Sequence, residues 1–476
     1  MPTRLAPRTT NPTAILAVLL LAVLTFTMSQ GLIGPVLPTL RQDVDTTPTM
    51  ITWVMTAFLL SASVFTPIAG RLGDRYGKDR AVIASLIALA VGSGVCAVAT
   101  DVEVMILGRI IQGICGAVLP LTYGVLRDAF SPRQLPGAVS LAAAVGGVGG
   151  GVGVVLAGPL SVAFGVRSLF WIPALLAAAT AALAGVVVPR SPARDSRPVS
   201  WLTTALLAAW LIALLVPLTQ ASRWGWSSPA VITPLVAATA LACAWVAAES
   251  RSARPLVDMR MMRIPAVWTT NLVSLLFGFG LFAVTAFLPT FVQTPTAAGY
   301  GFGAGVTQAG LMLLPMSVTT LLAGLASTQL TRYLGSRTTL MGACTLYVAA
   351  CVLLAFGHEH RWQIYLAVTL LGVALGAGFS TMSNVIVATV RPDQTGVANG
   401  ITANFATIGG SIGIALMAAV VSAQQAADGT SAEAGYTYGF AMLAVAGLAA
   451  FAVTTAMPRR PQAANAPQAQ HAAIGA

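Results

Sequence analysis

Gly70-Arg71-Leu72-Gly73-Asp74-Arg75-Tyr76-Gly77-Lys78-Asp79-Arg80 divides two apolar runs, one near residues 50 to 70 and the other near 80 to 99. Each run has about the 20 residues that a helix needs to cross a bilayer core at a rise of 1.5 Å per residue. The stretch is therefore a loop between two membrane helices. Its glycines permit a tight inter-helix turn. Asp74 is placed to face the positive N-terminal end of a neighbouring helix, and the basic residues are available to a second carboxylate.

The same alternation extends over the rest of the chain. Of 476 residues, 57% are hydrophobic and 8% charged, against roughly 25% charged in a soluble domain, and the mean hydropathy is +0.83. No aqueous fold hides that much apolar surface, so the expected class is all-α and polytopic, with the lipid bilayer as partner. The net charge of +11 does not point to nucleic acid. The Arg residues sit in short loops, without a basic helix or an aromatic platform. Cys96, Cys115, Cys243, Cys344 and Cys351 all fall inside apolar runs. They have neither metal-ligand spacing nor a loop disulfide partner and read as packing residues, so no metal or other cofactor is expected. An enzyme needs a nucleophile–base pair or a metal cluster within the spans, and the sequence offers neither.

Apolar runs against charged or Pro/Gly breaks predict fourteen spans: near 14 to 38, 50 to 70, 80 to 99, 104 to 126, 137 to 162 and 168 to 188, then 201 to 219 and 229 to 248. Six more follow near 265 to 292, 306 to 329, 338 to 357, 363 to 388, 396 to 423 and 437 to 457. Arg4 and Arg8 precede the first run as in a signal peptide, but no small-residue cleavage site follows, and the run reads as an uncleaved span. With both termini cytoplasmic, 20 of the 25 Lys and Arg residues fall on the cytoplasmic side. That asymmetry sets the expected orientation in the inner (plasma) membrane.

The expected organisation is a cytoplasmic tail (1–13), a six-helix bundle (14–189), an inserted helix pair with flanking loops (190–264), a second six-helix bundle (265–457) and a disordered Ala/Gln/Pro-rich tail (458–476). Two six-helix halves around a central site is a transporter plan. The inserted pair offers few polar residues and is expected to pack outside the twelve-span core, and the chain is expected to be monomeric.

The loop at 70 to 80 resembles the G-x-L-a-D-r-x-G-r-k signature of the major facilitator superfamily. Leu107-Gly108-Arg109-Ile110-Ile111-Gln112-Gly113 is similar to the R-x-x-q-G element of its fourth span. Gly146 to Gly153 with Gly158-Pro159 resembles, imperfectly, the G-P element of superfamily antiporters, because Val154 stands where a glycine is usual. At four-residue spacing these glycines flatten helix faces, and Gly149, Gly153, Gly158 and Pro159 are the expected packing positions. Arg223-Trp224-Gly225-Trp226, Pro255-Leu256-Val257-Asp258-Met259-Arg260, and Gly396 to Gly400 continuing to Gly413 are similar to stretches of the fourteen-span drug:proton antiporter family.

The resemblance implies a major facilitator fold and a secondary active exporter of small, amphipathic or drug-like molecules driven by the proton gradient. It also implies a conformational latch between the halves made by Gly70, Asp74, Arg75, Gly77, Lys78 and Asp128, with Lys78 near Asp128 and Asp74 near the start of the span at Thr395. The sequence departs from the family where many members carry an acid in the first span: Ser29 stands there. None of the fourteen acids lies at mid-membrane depth, which argues against an obligately cationic substrate. A lipid or apolar-metabolite translocator without direct proton antiport is the alternative.

Arg109 is the one charge deep within a span, about six residues or ~9 Å from the external end. A charge there costs at least ~2.5 kcal/mol and requires a partner or a wet cavity. Gln30 and Ser29 lie at similar depth and are the expected partners, with Arg109 facing the cavity to meet an electronegative substrate group or a proton-carrying water chain. Trp53, Gln112, Asn271, Phe279, Phe282, Asn399 and Asn404 are the remaining candidates for the substrate and proton pathway.

Overall fold

A computed structural model describes residues 11–131, 133–191, 201–252, 259–390, 395–424 and 432–458. Among the described residues there is no strand. The two tails, 1–10 and 459–476, lie outside this set, as do parts of the loops that flank the inserted pair.

The first bundle contains α1 (Pro12–Gly31), the short α2 (Leu37–Asp43), α3 (Pro48–Tyr76), α4 (Lys78–Val98), α5 (Val102–Gly113), α6 (Val118–Ala129), α7 (Leu135–Phe164) and α8 (Ser168–Val187). The inserted pair is α9 (Trp201–Trp224) and α10 (Pro229–Arg251). A single turn, α11 (Met259–Met262), leads to α12 (Pro265–Gln293), α13 (Val306–Leu334), α14 (Ser336–Phe356), α15 (Arg361–Thr389), α16 (Thr395–Ala423) and α17 (Glu433–Thr455). Local sequence sets several of these starts. Pro12, Pro48, Pro229 and Pro265 each open a helix, where the missing N–H has no partner to lose. Asn11, Thr47 and Asp101 cap the first turns of α1, α3 and α5.

Two spans expected to be continuous are broken. A 3-10 turn at Gly34–Val36 joins α1 to α2, and another at Ile114–Ala117 joins α5 to α6. Pro38 and Pro120 follow these turns, and each removes the N–H that would bond to the carbonyl four residues earlier. With these pairs joined, twelve segments among the described residues are long and apolar enough to cross a membrane. Helices α7 and α9 carry shorter apolar runs within the described residues, Val148–Phe164 and Leu202–Leu218.

Two joints repeat between the bundles. α3 passes to α4 through Gly77 alone, and α13 passes to α14 through Gly335 alone, at φ +103° and +82°. That backbone region is nearly closed to a residue with a Cβ. Within the first bundle α4 packs on α5 and α8, and α1 on α7; in the second, α12 packs on α16 and α14 on α15 and α17. The bundles meet along α7 with α13 and along α3 with α16, while α9 lies over α3 and α16 and carries α10 on its outer side.

Candidate functional site

Arg109 lies inside the first bundle. Gly92 of α4 and Gly108 of α5 let these helices cross with almost no space between them: a Cβ on Gly92 falls 2.6 Å from the Gly108 carbonyl, and one on Gly108 falls 2.6 Å from Cys96 Sγ. The next residue, Arg109, is 2% exposed. Its Nε donates to the Val54 carbonyl at 2.6 Å and its Nη1 to Gln112 Oε1 at 2.6 Å. Gln112 Nε2 in turn donates to Ser93 Oγ at 2.6 Å. The guanidinium stacks over the Phe58 ring, 4.5 Å from its centroid, and Phe58 leans on Phe26 at 6.2 Å. A buried cation is held here by a carbonyl, an amide and a ring face.

This arrangement corrects the expected Arg109–Gln30 contact. The acceptors that reach the guanidinium come from α3 and from the next turn of its own helix, because α4 and α5 draw Arg109 into the bundle and not toward α1. Ser29 is buried and donates to the Phe26 carbonyl at 2.7 Å, and Gln30 is half-buried with no bond to Arg109. Val54, Phe58 and Ser93 were not singled out from the sequence. The only trace of them there is the small Gly92-Ser93 step on α4.

The other pathway candidates disperse. Asn271 is buried between α12 and α16: its Oδ1 accepts from Thr402 Oγ1 at 2.7 Å, and its Nδ2 donates to Met262 Sδ at 3.2 Å. It does not line a cavity, because α12 and α16 touch backbone to backbone beside it. A Cβ on Gly278 would collide with Ala406, and one on Gly409 with the Leu275 carbonyl. Phe279 is buried against Gly413, and Phe282 is half-buried against Gly410. Trp53, Asn399 and Asn404 are half-buried. The Oδ1 of Asn404 is buried without a partner among the described residues.

At the loop of residues 70 to 80, Lys78 Nζ bonds Asp128 Oδ2 at 2.8 Å, with both side chains at most 10% exposed. The lysine stem lies on Gly124, where a Cβ would come within 2.7 Å of Cδ. Asp79 Oδ1 accepts from the Ser191 N–H at 3.0 Å. Arg75 stacks on Tyr76 at 4.9 Å, and Gly70 faces open space. These contacts tie α4 to α6 and to the segment after α8, all within the first bundle. The Asp74 side chain and residues 391–394 lie outside the described set, so the expected Asp74 contact falls there too.

The bundles also touch at the opposite end. Gln293 Nε2 donates to the Pro35 carbonyl at 2.8 Å, and Gly34 lies against the Thr285 carbonyl, 2.5 Å from where a Cβ would sit. Along α7, Gly149 faces Thr27 and Leu24, Gly153 meets the Met28 carbonyl, and Gly158 rests on Thr307 of α13 one residue before the in-helix Pro159. Glycine therefore sets the approach of α7 both to its own bundle and to the other.

A family model, the Major Facilitator Superfamily, matches residues 19–414 and 294–475. The chain belongs to this superfamily, and it is a multi-pass membrane transporter, not an enzyme. It is 28% identical over 394 residues to the Multidrug resistance protein B homolog of Mycobacterium tuberculosis, covering 80% of this chain and 71% of that protein. It is 26% identical over 405 residues to the Tetracenomycin C resistance and export protein of Streptomyces glaucescens, covering 81% and 72%. The fold is similar to the crystal structure of the human organic anion transporter MFSD10, with a TM-score of 0.67, 18% identity and coverage of 93% and 99%.

Proposed function

We propose that this chain is a fourteen-span exporter of small, neutral, amphipathic drug-like molecules, working by alternating access and coupled to inward proton movement. The observation that carries the reading is the two-bundle architecture, with its bundles meeting mainly along α7–α13 and α3–α16, in a chain whose relatives are named for resistance and export. Helices α7 and α9 supply two further spans, since 30 and 24 residues rise ~45 and ~36 Å. The basic loops support an inner-membrane orientation with both termini cytoplasmic. The Gln293–Pro35 bond then closes the external end, and loss of that contact is part of opening outward. The reading takes the first bundle as residues 14–189, the second as 265–457 and the inserted helices as an addition outside them.

Arg109, Gln112 and Ser93 form the polar centre of the first bundle. Their role in this reading is to keep the bundle rigid as it rocks, with the charge spread over Val54, Gln112 and Phe58. One proton moving inward gains about 2.3 kcal/mol per 100 mV, enough to drive accumulation. The test is efflux of a neutral fluorophore from proteoliposomes under an imposed pH gradient, with a trapped pH dye. Substrate and proton fluxes that rise together support the reading. Substrate counterflow with no proton movement replaces it with a lipid or apolar-metabolite translocator, and no flux of either kind removes it.

A further inference from the structure

The inserted pair holds two indole N–H groups without a partner among the described residues. Trp210 of α9 and Trp245 of α10 lie with ring centroids 6.3 Å apart at an interplanar angle of 37°. Both Nε1 atoms are buried, and neither has an acceptor among the described residues. Each indole is itself half-buried, so the ring has an open edge while its donor points inward. Trp210 stands nine residues into α9 and Trp245 six residues before the end of α10, about 14 and 9 Å from the end of the bundle that carries the 70-to-80 loop. Water does not reach that depth from the lipid side, and an unmet donor there is unfavourable.

The clusters that pack on the pair are apolar, while Glu249, one turn from Trp245 on α10, is buried. Trp210 and Trp245 pack against the cluster that holds Val64 and Ile68 of α3, Leu207 and Leu211 of α9 and Ile408 of α16. Trp245 also reaches a second cluster with Met261, Ile401 and the partly buried Phe405. Methionine and aromatic walls accommodate varied shapes. On α16, Asn404 lies one turn from both Ile401 and Ile408, and its Oδ1 is a buried acceptor without a donor among the described residues. Two orphan donors and an orphan acceptor thus collect around the line where α9 bridges the bundles. The bridge is thin. α9 docks through a single stripe that includes Leu207, Leu211, Leu215 and Leu218, while the apolar window of α10 is only 11% buried.

We propose that this seam is a membrane-side entry site that takes a neutral amphipathic molecule from the leaflet next to the 70-to-80 loop, with a carbonyl or similar acceptor of that molecule bonding the Trp210 and Trp245 N–H groups. The site deepens the export reading by giving the substrate class, an apolar body with a hydrogen-bond acceptor, and a route that avoids the aqueous side. A phospholipid ester carries the same chemistry, so the test separates the two sources.

The full chain in phospholipid nanodiscs is irradiated with 4-hexylbenzophenone, whose ketone is both acceptor and photoreactive group, and adducts are mapped by peptide mass spectrometry. Adducts are expected on α9, α10 or residues 398–412, displaced by excess hexyl benzoate. In the Trp210→Phe/Trp245→Phe double variant, which keeps an aromatic ring at each position and removes both donors, labelling falls at least fivefold. Deleting two unpaired buried donors offsets part of the lost ring volume, and the thermal midpoint of each variant is measured alongside so that labelling is compared between folded proteins. Unchanged labelling in the double variant, or adducts confined to other helices, overturns the proposal. A parallel arm uses a phospholipid with a benzophenone acyl chain. Labelling of the seam by that lipid, undisplaced by hexyl benzoate, means a resident lipid and overturns the assignment to substrate. Efflux that fails while seam labelling persists counts against the export reading alone; efflux intact with no seam labelling counts against this inference alone.

Discussion

Replacing Arg109 with Lys keeps the charge and removes the geometry that holds it. The guanidinium makes three contacts in different directions: Val54 O at 2.6 Å, Gln112 Oε1 at 2.6 Å and the Phe58 face at 4.5 Å. An ammonium is a compact point charge and does not reach all three from one position. At least one charge-assisted hydrogen bond is lost, which costs about 1.5–3 kcal/mol, a factor of roughly 10 to 150 in the folding equilibrium. For a bundle of this size that lowers the melting midpoint by roughly 3–12 °C. Arg109→Ala also relieves a buried charge, so its loss is partly offset, but it leaves the Gln112 carbonyl without its donor. Both variants are measured by fluorescence-detected size exclusion after a temperature series in detergent, next to efflux in proteoliposomes. A double-mutant cycle with Gln112→Leu is expected to give a coupling energy above ~1 kcal/mol. A midpoint for Arg109→Lys within about 1 °C of the parent, with no coupling to Gln112, refutes the view that this network holds the first bundle together.

Three further outcomes follow from packing and charge. Gly409→Leu drives a side chain into the Leu275 carbonyl and is expected to abolish monodisperse protein, while Gly70→Ala, which faces open space, leaves yield unchanged; size-exclusion profiles of both decide. Lys78→Met removes the cation 2.8 Å from a nearly buried Asp128 and is expected to lower the thermal midpoint. The double change Lys78→Met/Asp128→Leu recovers much of that in thermal melts, and no recovery argues that the ion pair is not the cause. Gln293→Leu removes the bond to Pro35, worth about 0.5–1.5 kcal/mol. It is expected to speed the reaction of a Thr285→Cys variant with a membrane-impermeant maleimide from outside; an unchanged rate means that the contact does not hold the external end closed.

The membrane class, the helix boundaries and the tight turn at Gly77 were legible because each is local. Hydropathy over about 20 residues, a proline at a helix start and a glycine at positive φ act within a few residues of one another. The glycine positions on α7 were legible as well, since small residues at four-residue spacing flatten a face whichever helix lies against it. The breaks at Gly34–Val36 and Ile114–Ala117 follow from Pro38 and Pro120, yet hydropathy does not show them, because an apolar run looks continuous across a proline.

Partner choice within the spans was not legible, whereas the Lys78–Asp128 pair at their ends was expected from the family resemblance. Arg109 announced itself by composition as a buried cation, yet its acceptors lie on α3, 55 residues earlier for Val54, and, through Gln112, on Ser93 of α4. Depth along a span placed Gln30 at the same level without saying which face of which helix turns toward it. Asn271 is similar: its partner Thr402 is 131 residues away, brought in by Gly409 and Gly278 closing α12 on α16. The Trp210–Trp245 pair looks in sequence like two unrelated aromatic residues. By itself the sequence determined that the chain spans the membrane and that it does so as helices, since lipid requires every segment to satisfy its own backbone. Only the tertiary structure decided which polar groups meet, because inside the bilayer a side chain finds its partner on whichever helix the packing brings alongside.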